Sequence, residues 1–460
     1  MNGLIALLIL LVSVAVIAFV PGFTPPEVVA RYGVVDVIMC IKALLACATL
    51  GVAFSGLIMR LGSDDKTFLL RVFLFAVLLR IVLGTFIYIA NLQEFFGGDA
   101  YTYDFFGATQ LKIWLGDREA KFVLERFVTS SEGGASGWGM VYFVAALYGM
   151  IGRNMLAVQF VNAVIGSATA VIIYLCAREI FQNKRVARIA MLFVAFFPSL
   201  VLWSSQGLKD APIVLMLSLC IFATLKLGQR LSLPYIAVLI FGLFGLLSFR
   251  FYVFYMMVVA VGAALALGMR EVTAEHFVRQ FLIITIMCLG LGYLGVTRFA
   301  DAQLEKFANL DEIQRSRQNA SASADSGFSQ TSDVSTTGGA LSTIPIGLVY
   351  LLFAPFPWQL ASVRQSITLP EMLVWWLSFP ALVMGFWFAI RYRFRQVAVI
   401  LIFTTMLTLA YSVFQGNVGT AYRQRAQLLV FYFIFVAVGY EIFLEKREEA
   451  RRKEITKKDF

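Results

Sequence analysis

The sequence is dominated by long apolar runs, and these restrict the chain to a membrane-embedded fold. A helix needs about 20 apolar residues to cross a bilayer, and about 12 runs approach that length. Of the 460 residues, 60% are hydrophobic and 14% are charged, whereas a soluble domain rarely exceeds half apolar residues. The predicted spans are Leu4–Val20, Val34–Met59, Phe68–Asn91, Leu156–Cys176, Val186–Trp203, Ala211–Leu227, Pro234–Leu247, Phe251–Met269, Phe277–Thr297, Met372–Ile390, Val397–Phe414 and Leu428–Leu444.

The nature of these runs predicts an all-α fold. In lipid, every backbone polar group needs a partner within the protein, so only helices and closed barrels cross a membrane. The runs are too long for barrel strands and do not alternate apolar with polar residues. We therefore predict a polytopic all-α protein, with a single transmembrane domain over residues 1–445 and a basic cytoplasmic tail over residues 446–460.

Basic residues predict the orientation, because Lys and Arg concentrate in cytoplasmic loops. With both termini inside, the strongly basic loops all fall on the cytoplasmic side; they are residues 178–188, 226–230, 270–279 and 391–395. The segments then placed outside are residues 92–137, 204–210, 298–343 and 415–427.

Three outer segments have a special character. Trp138–Ile151 is short for a crossing, and Ile344–Gln359 contains prolines that break helices. We predict both to be interfacial or re-entrant pieces on the outer face. Residues 319–340, within the loop 298–343, have the composition of a flexible segment.

An acidic motif follows the third predicted span: Gly97-Gly98-Asp99-Ala100-Tyr101-Thr102-Tyr103-Asp104. The glycine pair permits a sharp turn that leaves Asp99 at the membrane surface. A carboxylate there can deprotonate a hydroxyl nucleophile or order a sugar or metal. Asp104 reaches the same place if the segment is helical. Both are candidate catalytic residues; the alternative is a carboxylate that caps the following helix.

Two further candidates for substrate binding lie on predicted outer turns. Lys209 and Asp210 join two spans, and there Lys209 would meet a phosphate while Asp210 faces the cavity of Asp99. The alternative is an interfacial ion pair that snorkels to water. Arg250 stands in a tight link between spans, where an arginine requires an anionic partner such as a lipid phosphate or one of the aspartates. The alternative is an arginine that snorkels to water at the outer leaflet.

A third group precedes the last predicted span, in the segment Gln415–Arg425. Tyr422, Arg423 and Arg425 lie on the side where arginine is disfavoured, and guanidinium groups bind phosphate oxygens in pairs. We predict phosphate or pyrophosphate binding, with lipid headgroup contact as the alternative. These arginines and Asp99 are expected to converge on one cavity.

Several function classes lack their signals. The chain has no Walker A loop, dinucleotide fingerprint or zincin motif, and its five cysteines fall inside predicted spans without ligand spacing. The net charge of +10 is explained by cytoplasmic loops and anionic lipid, so no nucleic-acid partner is predicted.

The order of motifs over about residues 95–230 resembles the C-type (GT-C) multi-spanning glycosyltransferases, the superfamily of the protein mannosyltransferases and lipid A aminoarabinose transferases. The segments that carry the resemblance are Gly98-Asp99-Ala100, Gly137-Trp138-Gly139-Met140, Gln159-Phe160-Val161-Asn162, Pro198-Ser199, Trp203-Ser204 and Asp210. In the C-terminal third, Pro355-Phe356-Pro357-Trp358 and Tyr422-Arg423-Gln424-Arg425 resemble polysaccharide-assembly proteins such as O-antigen polymerases.

This resemblance implies an inverting glycosyltransferase in the bacterial inner membrane, with its active site facing the periplasm. The donor would be a sugar on a polyprenyl phosphate, and the acceptor a cell-surface glycan or lipid. The resemblance implies no fixed cofactor and allows a divalent cation. The alternatives are an O-antigen or exopolysaccharide polymerase, and a flippase or transporter of lipid-linked saccharides.

Overall fold

The computed structural model of the protein describes residues 2–27, 29, 35–62, 64–96, 98–130, 138–267, 274–293, 311, 313–315, 317–318, 334–360, 363–414 and 417–458. The regular structure of these residues is helical. The helices are α1 (Asn2–Phe23), α2 (Val37–Arg60), α3 (Lys66–Ile89), α4 (Asp99–Trp114), α5 (Arg118–Ser130), α6 (Trp138–Ile151), α7 (Met155–Phe181), α8 (Lys184–Phe196), α9 (Pro198–Ser204), α10 (Asp210–Leu227), α11 (Leu233–Phe249), α12 (Phe251–Leu267), α13 (Ala274–Tyr293), α14 (Thr337–Phe353), α15 (Val363–Phe414) and α16 (Val418–Lys458).

The prediction of an all-α polytopic membrane fold is confirmed. Among the described residues, 7 helices are long and apolar enough to cross a membrane, or 8 if α8 and α9 form one bent span. α11, α12 and α14 have 17 residues each, and α6 has 14. The number of about 12 crossings therefore stays a prediction.

The longest apolar helix, α15, contains two of the predicted spans. It has 52 residues, which at 1.5 Å per residue is about 78 Å, more than twice the thickness of a bilayer core. Arg393 interrupts the helix with a non-helical backbone (φ −135°, ψ 21°). The interruption falls between the predicted spans Met372–Ile390 and Val397–Phe414.

The span predicted over Val186–Trp203 is bent by 54° between α8 and α9. The cause is Pro198, which occupies the first turn of α9. Proline disfavours the helical conformation of the residue before it, and Phe197 is extended (φ −66°, ψ 126°). The predicted span therefore consists of two helices joined at a bend.

Two predicted loops are partly helical. α14 runs through Pro345, so the prediction that this proline ends a helix is wrong; the helix ends at Phe353, just before Pro355.

α16 begins at Val418, where the Oδ1 of Asn417 accepts a 2.7 Å hydrogen bond from the N–H of Gly419. Residues 418–427 of the predicted outer segment are therefore helical, and their position on the outer side stays a prediction. Residues 319–333 of the predicted flexible segment lie outside the described residues.

The chain forms two compact units that alternate along the sequence. The first unit consists of residues 1–171, 195–216 and 245–251, and the second of residues 172–194, 217–244 and 252–460. In the first unit, α4 packs closely on α6, because a methyl group built at Gly107 would lie 2.3 Å from the Cγ1 of Val144.

In the second unit, α15 and α16 approach each other through glycine. A methyl group built at Gly385 would lie 1.9 Å from the carbonyl oxygen of Phe435, and one built at Gly439 would lie 1.9 Å from that of Ala381. Small residues at such contacts let membrane helices pack backbone to backbone. The prediction of a single membrane domain over residues 1–445 stays a prediction.

Candidate active site

Asp99 is the first residue of α4, and the glycine before it sets its position. Gly98 has a left-handed backbone (φ 71°, ψ −16°), which glycine adopts without a steric penalty. The turn places the half-buried Asp99 carboxylate at the positive end of the helix dipole. Tyr103 lies one turn further on, on the same side of α4.

The segment 205–210 lies against this first turn. A methyl group built at Gly207 would lie 3.9 Å from the Cβ of Ala100, so the backbone of the segment approaches α4 directly beside Asp99. The Lys209 ammonium lies 6.0 Å from the centre of the Tyr103 ring. The structure therefore brings the predicted residues Lys209 and Asp210 into the neighbourhood of Asp99. Asp210 is the first residue of α10 and is 3% exposed.

A buried asparagine anchors the segment from α7. The Nδ2 of Asn162 donates 2.7 Å hydrogen bonds to the carbonyl oxygens of both Gln206 and Leu208. Asn162 is fully buried, and buried polar groups need such partners. In the sequence, Asn162 ends the segment Gln159-Phe160-Val161-Asn162, which carries the family resemblance without indicating a role for the asparagine. The signal that could have revealed its structural role is the presence of an amide side chain inside an otherwise apolar helix.

A buried arginine fixes the other end of the same segment. Arg80 on α3 is 1% exposed, and it donates hydrogen bonds to the hydroxyl of Ser204 (2.7 Å, from Nε) and to the carbonyl oxygen of Ala195 (2.8 Å, from Nη1). One turn later, a methyl group built at Gly84 would lie 2.6 Å from the carbonyl oxygen of Ser205. Sequence reasoning missed Arg80, although an arginine inside a span is itself a signal.

Asp104 belongs to a different cluster. Its carboxylate is 2% exposed and accepts hydrogen bonds from the Tyr148 hydroxyl and the Arg153 guanidinium. Burial and the neighbouring carboxylate raise the pKa of Tyr148 well above its usual range, so the phenol stays protonated and donates. These contacts join α4 to α6 and to the residues that follow α6, and they favour a structural role for Asp104. Its catalytic role stays a prediction.

Arg250 forms the one-residue link between α11 and α12, as predicted. Its backbone N–H donates a 2.7 Å hydrogen bond to the carbonyl oxygen of Leu246, and its side chain is half-buried. The end of α11 packs on the start of α6, because a methyl group built at Gly139 would lie 2.4 Å from the Oγ of Ser248. The predicted role of Arg250 in binding an anion stays a prediction.

Two of the C-terminal candidates, Tyr422 and Arg425, contact each other in the second unit. Arg425 is 1% exposed, and its Nη1 donates to the carbonyl oxygens of Leu352 (3.1 Å) and Ala354 (2.8 Å) at the end of α14. The Tyr422 hydroxyl donates a 2.7 Å hydrogen bond to the Oε2 of Glu371. Arg425 thus satisfies carbonyl groups that a helix end leaves without partners. Arg423 is half-buried. Sequence reasoning missed Glu371, which is 4% exposed.

The described residues contain no group of three His, Cys, Asp or Glu side chains that could hold a metal ion. The divalent cation that the resemblance allows stays a prediction. The convergence predicted for Asp99 with Arg423 and Arg425 joins residues of different units and stays a prediction.

A comparison with known protein families finds a match over part of the chain. Residues 138–293 match the family described as dolichyl-phosphate-mannose-protein mannosyltransferase. The resemblance to the C-type glycosyltransferases is confirmed. The matched segment contains Asn162, the segment 205–210 and Arg250, and it begins after Asp99. The match supports a membrane glycosyltransferase of this superfamily.

Two solved structures are similar to the chain. One is the archaeal oligosaccharyltransferase AglB from Archaeoglobus fulgidus in complex with an inhibitory peptide and a dolichol-phosphate (15% identity, TM-score 0.39). The other is the Archaeoglobus fulgidus oligosaccharyltransferase in the apo form (16% identity, TM-score 0.41). Each alignment covers 70% of this chain and 44% of the other. No curated protein matches the chain.

Proposed function

We propose that the protein transfers a sugar, with inversion, from a polyprenyl-phosphate-linked donor to a cell-surface glycan or lipid. The reaction would take place at the periplasmic face of a bacterial inner membrane. The observation that carries this proposal is the packing of the segment 205–210 on the first turn of α4. That packing places a carboxylate, Asp99, and a cation, Lys209, in one neighbourhood.

The proposed chemistry uses these two groups together with Arg250. Asp99 accepts the proton of the acceptor hydroxyl, whose oxygen attacks the anomeric carbon of the sugar. The bond from that carbon to the phosphate oxygen breaks on the opposite face. The electron pair leaves with the polyprenyl phosphate, whose charge Lys209 and Arg250 stabilise. Tyr422, Arg423 and Arg425 remain predicted donor-binding residues.

The test is mass spectrometry of lipid-linked sugars and envelope glycans from a strain that lacks this gene. We expect one polyprenyl-phosphate sugar to accumulate and one glycan modification to disappear. Wild-type protein should restore both, and the Asp99→Asn variant should restore neither at equal expression. Glu119→Gln is the matched control, because Glu119 is an exposed acidic residue in the first turn of α5. Full restoration by Asp99→Asn would refute the role of Asp99.

A second candidate function is a polysaccharide polymerase. The two C-terminal segments that resemble polymerases contact each other, because Arg425 donates to the carbonyl oxygen of Ala354, directly before Pro355. A polymerase would use lipid-diphosphate oligosaccharides as donor and acceptor. The product distinguishes the functions: single-sugar addition supports the transferase, and a ladder of repeats supports the polymerase.

A further inference from the structure

A cavity of about 710 Å³ lies within the second unit, at the ends of three helices and beside the interruption of α15. Its lining includes Glu179 of α7, Gln229 after α10, Leu265 of α12 and the segment Arg391–Gln396 of α15. Each of these segments belongs to or adjoins a loop predicted to be cytoplasmic. Because they line one cavity, they lie on one side of the membrane domain.

Three arginines of α15 line this cavity: Arg391, Arg393 and Arg395. In a regular helix the middle one would point away from the other two, since residues i and i+2 face different sides. The non-helical backbone of Arg393 interrupts the helix at that position and lets all three side chains line one space. In the described part of the chain, no carboxylate lies within ion-pair distance of these three guanidiniums.

The carboxylate in the cavity wall does not offset this positive charge. Glu179 forms a salt bridge with Lys226 and accepts a hydrogen bond from Gln229. Its charge is therefore already balanced by the Lys226 ammonium. The cavity keeps the excess charge of three guanidiniums, two of which are exposed and one half-buried, so an anion can reach them from water.

The cavity offers more than a cluster of basic residues, which a cytoplasmic loop alone would explain. The volume of the cavity is within the range of pockets for small organic ligands and is larger than the volume of a phosphate ion. Part of its wall is apolar, formed by Ile180, Leu225, Ala264, Leu265 and Val399. A ligand that matches both surfaces has an anionic group and an organic part.

We propose that this cavity binds a phosphate ester. The phosphoryl group would be held by Arg391, Arg393 and Arg395, because guanidinium groups donate pairs of hydrogen bonds to phosphate oxygens. The organic part would lie against the apolar wall. A phospholipid headgroup and a soluble phosphate ester share this chemistry. The site is independent of the proposed transfer reaction.

The test measures binding to the purified full chain in neutral detergent. The probes are dioctanoyl phosphatidylglycerol, glycerol 3-phosphate and, as the zwitterionic reference, dioctanoyl phosphatidylcholine. Affinity for an anionic probe should fall by at least about tenfold in the Arg391→Gln, Arg393→Gln, Arg395→Gln triple variant, because hydrogen bonds to a charged group are lost. The matched control changes three exposed basic residues of α16, Lys446, Arg447 and Arg451, to glutamine and should bind like the wild type.

The two anionic probes distinguish the sources. Tighter binding of phosphatidylglycerol than of phosphatidylcholine indicates a lipid headgroup, and binding of glycerol 3-phosphate indicates a soluble ester. Arg393→Lys keeps the positive charge but cannot donate the paired hydrogen bonds of a guanidinium. We therefore expect it to bind the anionic probe more weakly than the wild type does, and this variant remains informative if the triple variant is unstable. Binding that is equal in the wild type and Arg393→Lys, or absent for both anionic probes, would overturn the proposal.

Discussion

The guanidinium of Arg80 donates a 2.7 Å hydrogen bond to the hydroxyl of Ser204, a residue 124 positions later in the chain. The same guanidinium donates to the carbonyl oxygen of Ala195. Ala195 lies near the end of α8 and Ser204 ends α9, so one side chain contacts both sides of the bend. The bend sets the direction in which the chain enters the segment 205–210, and α3 thereby determines where Lys209 and Asp210 lie.

We expect Arg80→Leu to lower both stability and transfer activity. The variant loses the buried hydrogen bonds that a charged donor makes to Ser204, Ala195 and Ala76, a cost of about 3 kcal/mol or more. Thermal unfolding of purified protein and glycan profiling of the complemented strain measure the two effects. Arg60→Leu, an exposed arginine at the end of α2, is the control. Wild-type stability in Arg80→Leu would contradict a structural role for this side chain.

Asn162→Ala should reduce transfer more than it reduces stability. The change leaves the carbonyl groups of Gln206 and Leu208 without their amide donor, at about 1–3 kcal/mol, and releases the segment that carries Lys209. The expected result is a kcat at least about tenfold lower with a smaller change in KM. Ser167→Ala on the same helix is the control, because its hydroxyl bonds only within α7. A parallel loss of folded protein and activity would indicate packing alone.

The two C-terminal arginines should respond differently to the same substitution. Arg425→Gln removes the donor to Leu352 and Ala354, so we expect it to unfold at a clearly lower temperature, with a cost of about 3 kcal/mol. Arg423→Gln should leave the unfolding temperature closer to that of the wild type and weaken donor binding, seen as a higher KM for the lipid-linked sugar. Equal effects of the two variants on unfolding would contradict this division of roles.

Gly385→Ala and Gly439→Ala should each destabilise the second unit, because the added methyl group meets a backbone oxygen of the neighbouring helix. Overpacking of this kind costs about 1–3 kcal/mol. Gly51→Ala on α2 is the control: nothing lies within 4 Å of the added methyl group, and alanine is the better helix former. Thermal unfolding that ranks Gly51→Ala below either α15 or α16 variant would contradict the close approach of these helices.

The apolar runs predicted most helices closely. The predicted third span Phe68–Asn91 corresponds to α3 (Lys66–Ile89), and the short segment Trp138–Ile151 is α6 with the same bounds. The predicted helix boundaries were wrong where they rested on a single residue type or on the apolar run alone. Pro345 lies inside a helix, and Tyr422–Arg425 are helical because Asn417 starts α16 earlier than the apolar run suggests.

The candidate site was predictable in its residues and only partly in its arrangement. A carboxylate after a glycine pair and a lysine before Asp210 are visible in the sequence. Asn162, Arg80 and Glu371 were missed as site-shaping residues, because a polar residue inside an apolar run has no visible partner until distant segments meet. Asp104 was predicted to be catalytic, but its carboxylate contacts Tyr148 and Arg153. These contacts depend on how α4 packs on α6, which the sequence does not show.

The sequence by itself determined that the chain is helical and embedded in a membrane, because backbone groups in lipid require internal partners and the apolar runs have the length of a crossing. Only the tertiary structure decided which polar side chains meet. Hydrogen bonds such as that from Arg80 to Ser204 depend on positions of a few tenths of an ångström between helices, and hydrophobicity, which has no direction, carries no such information.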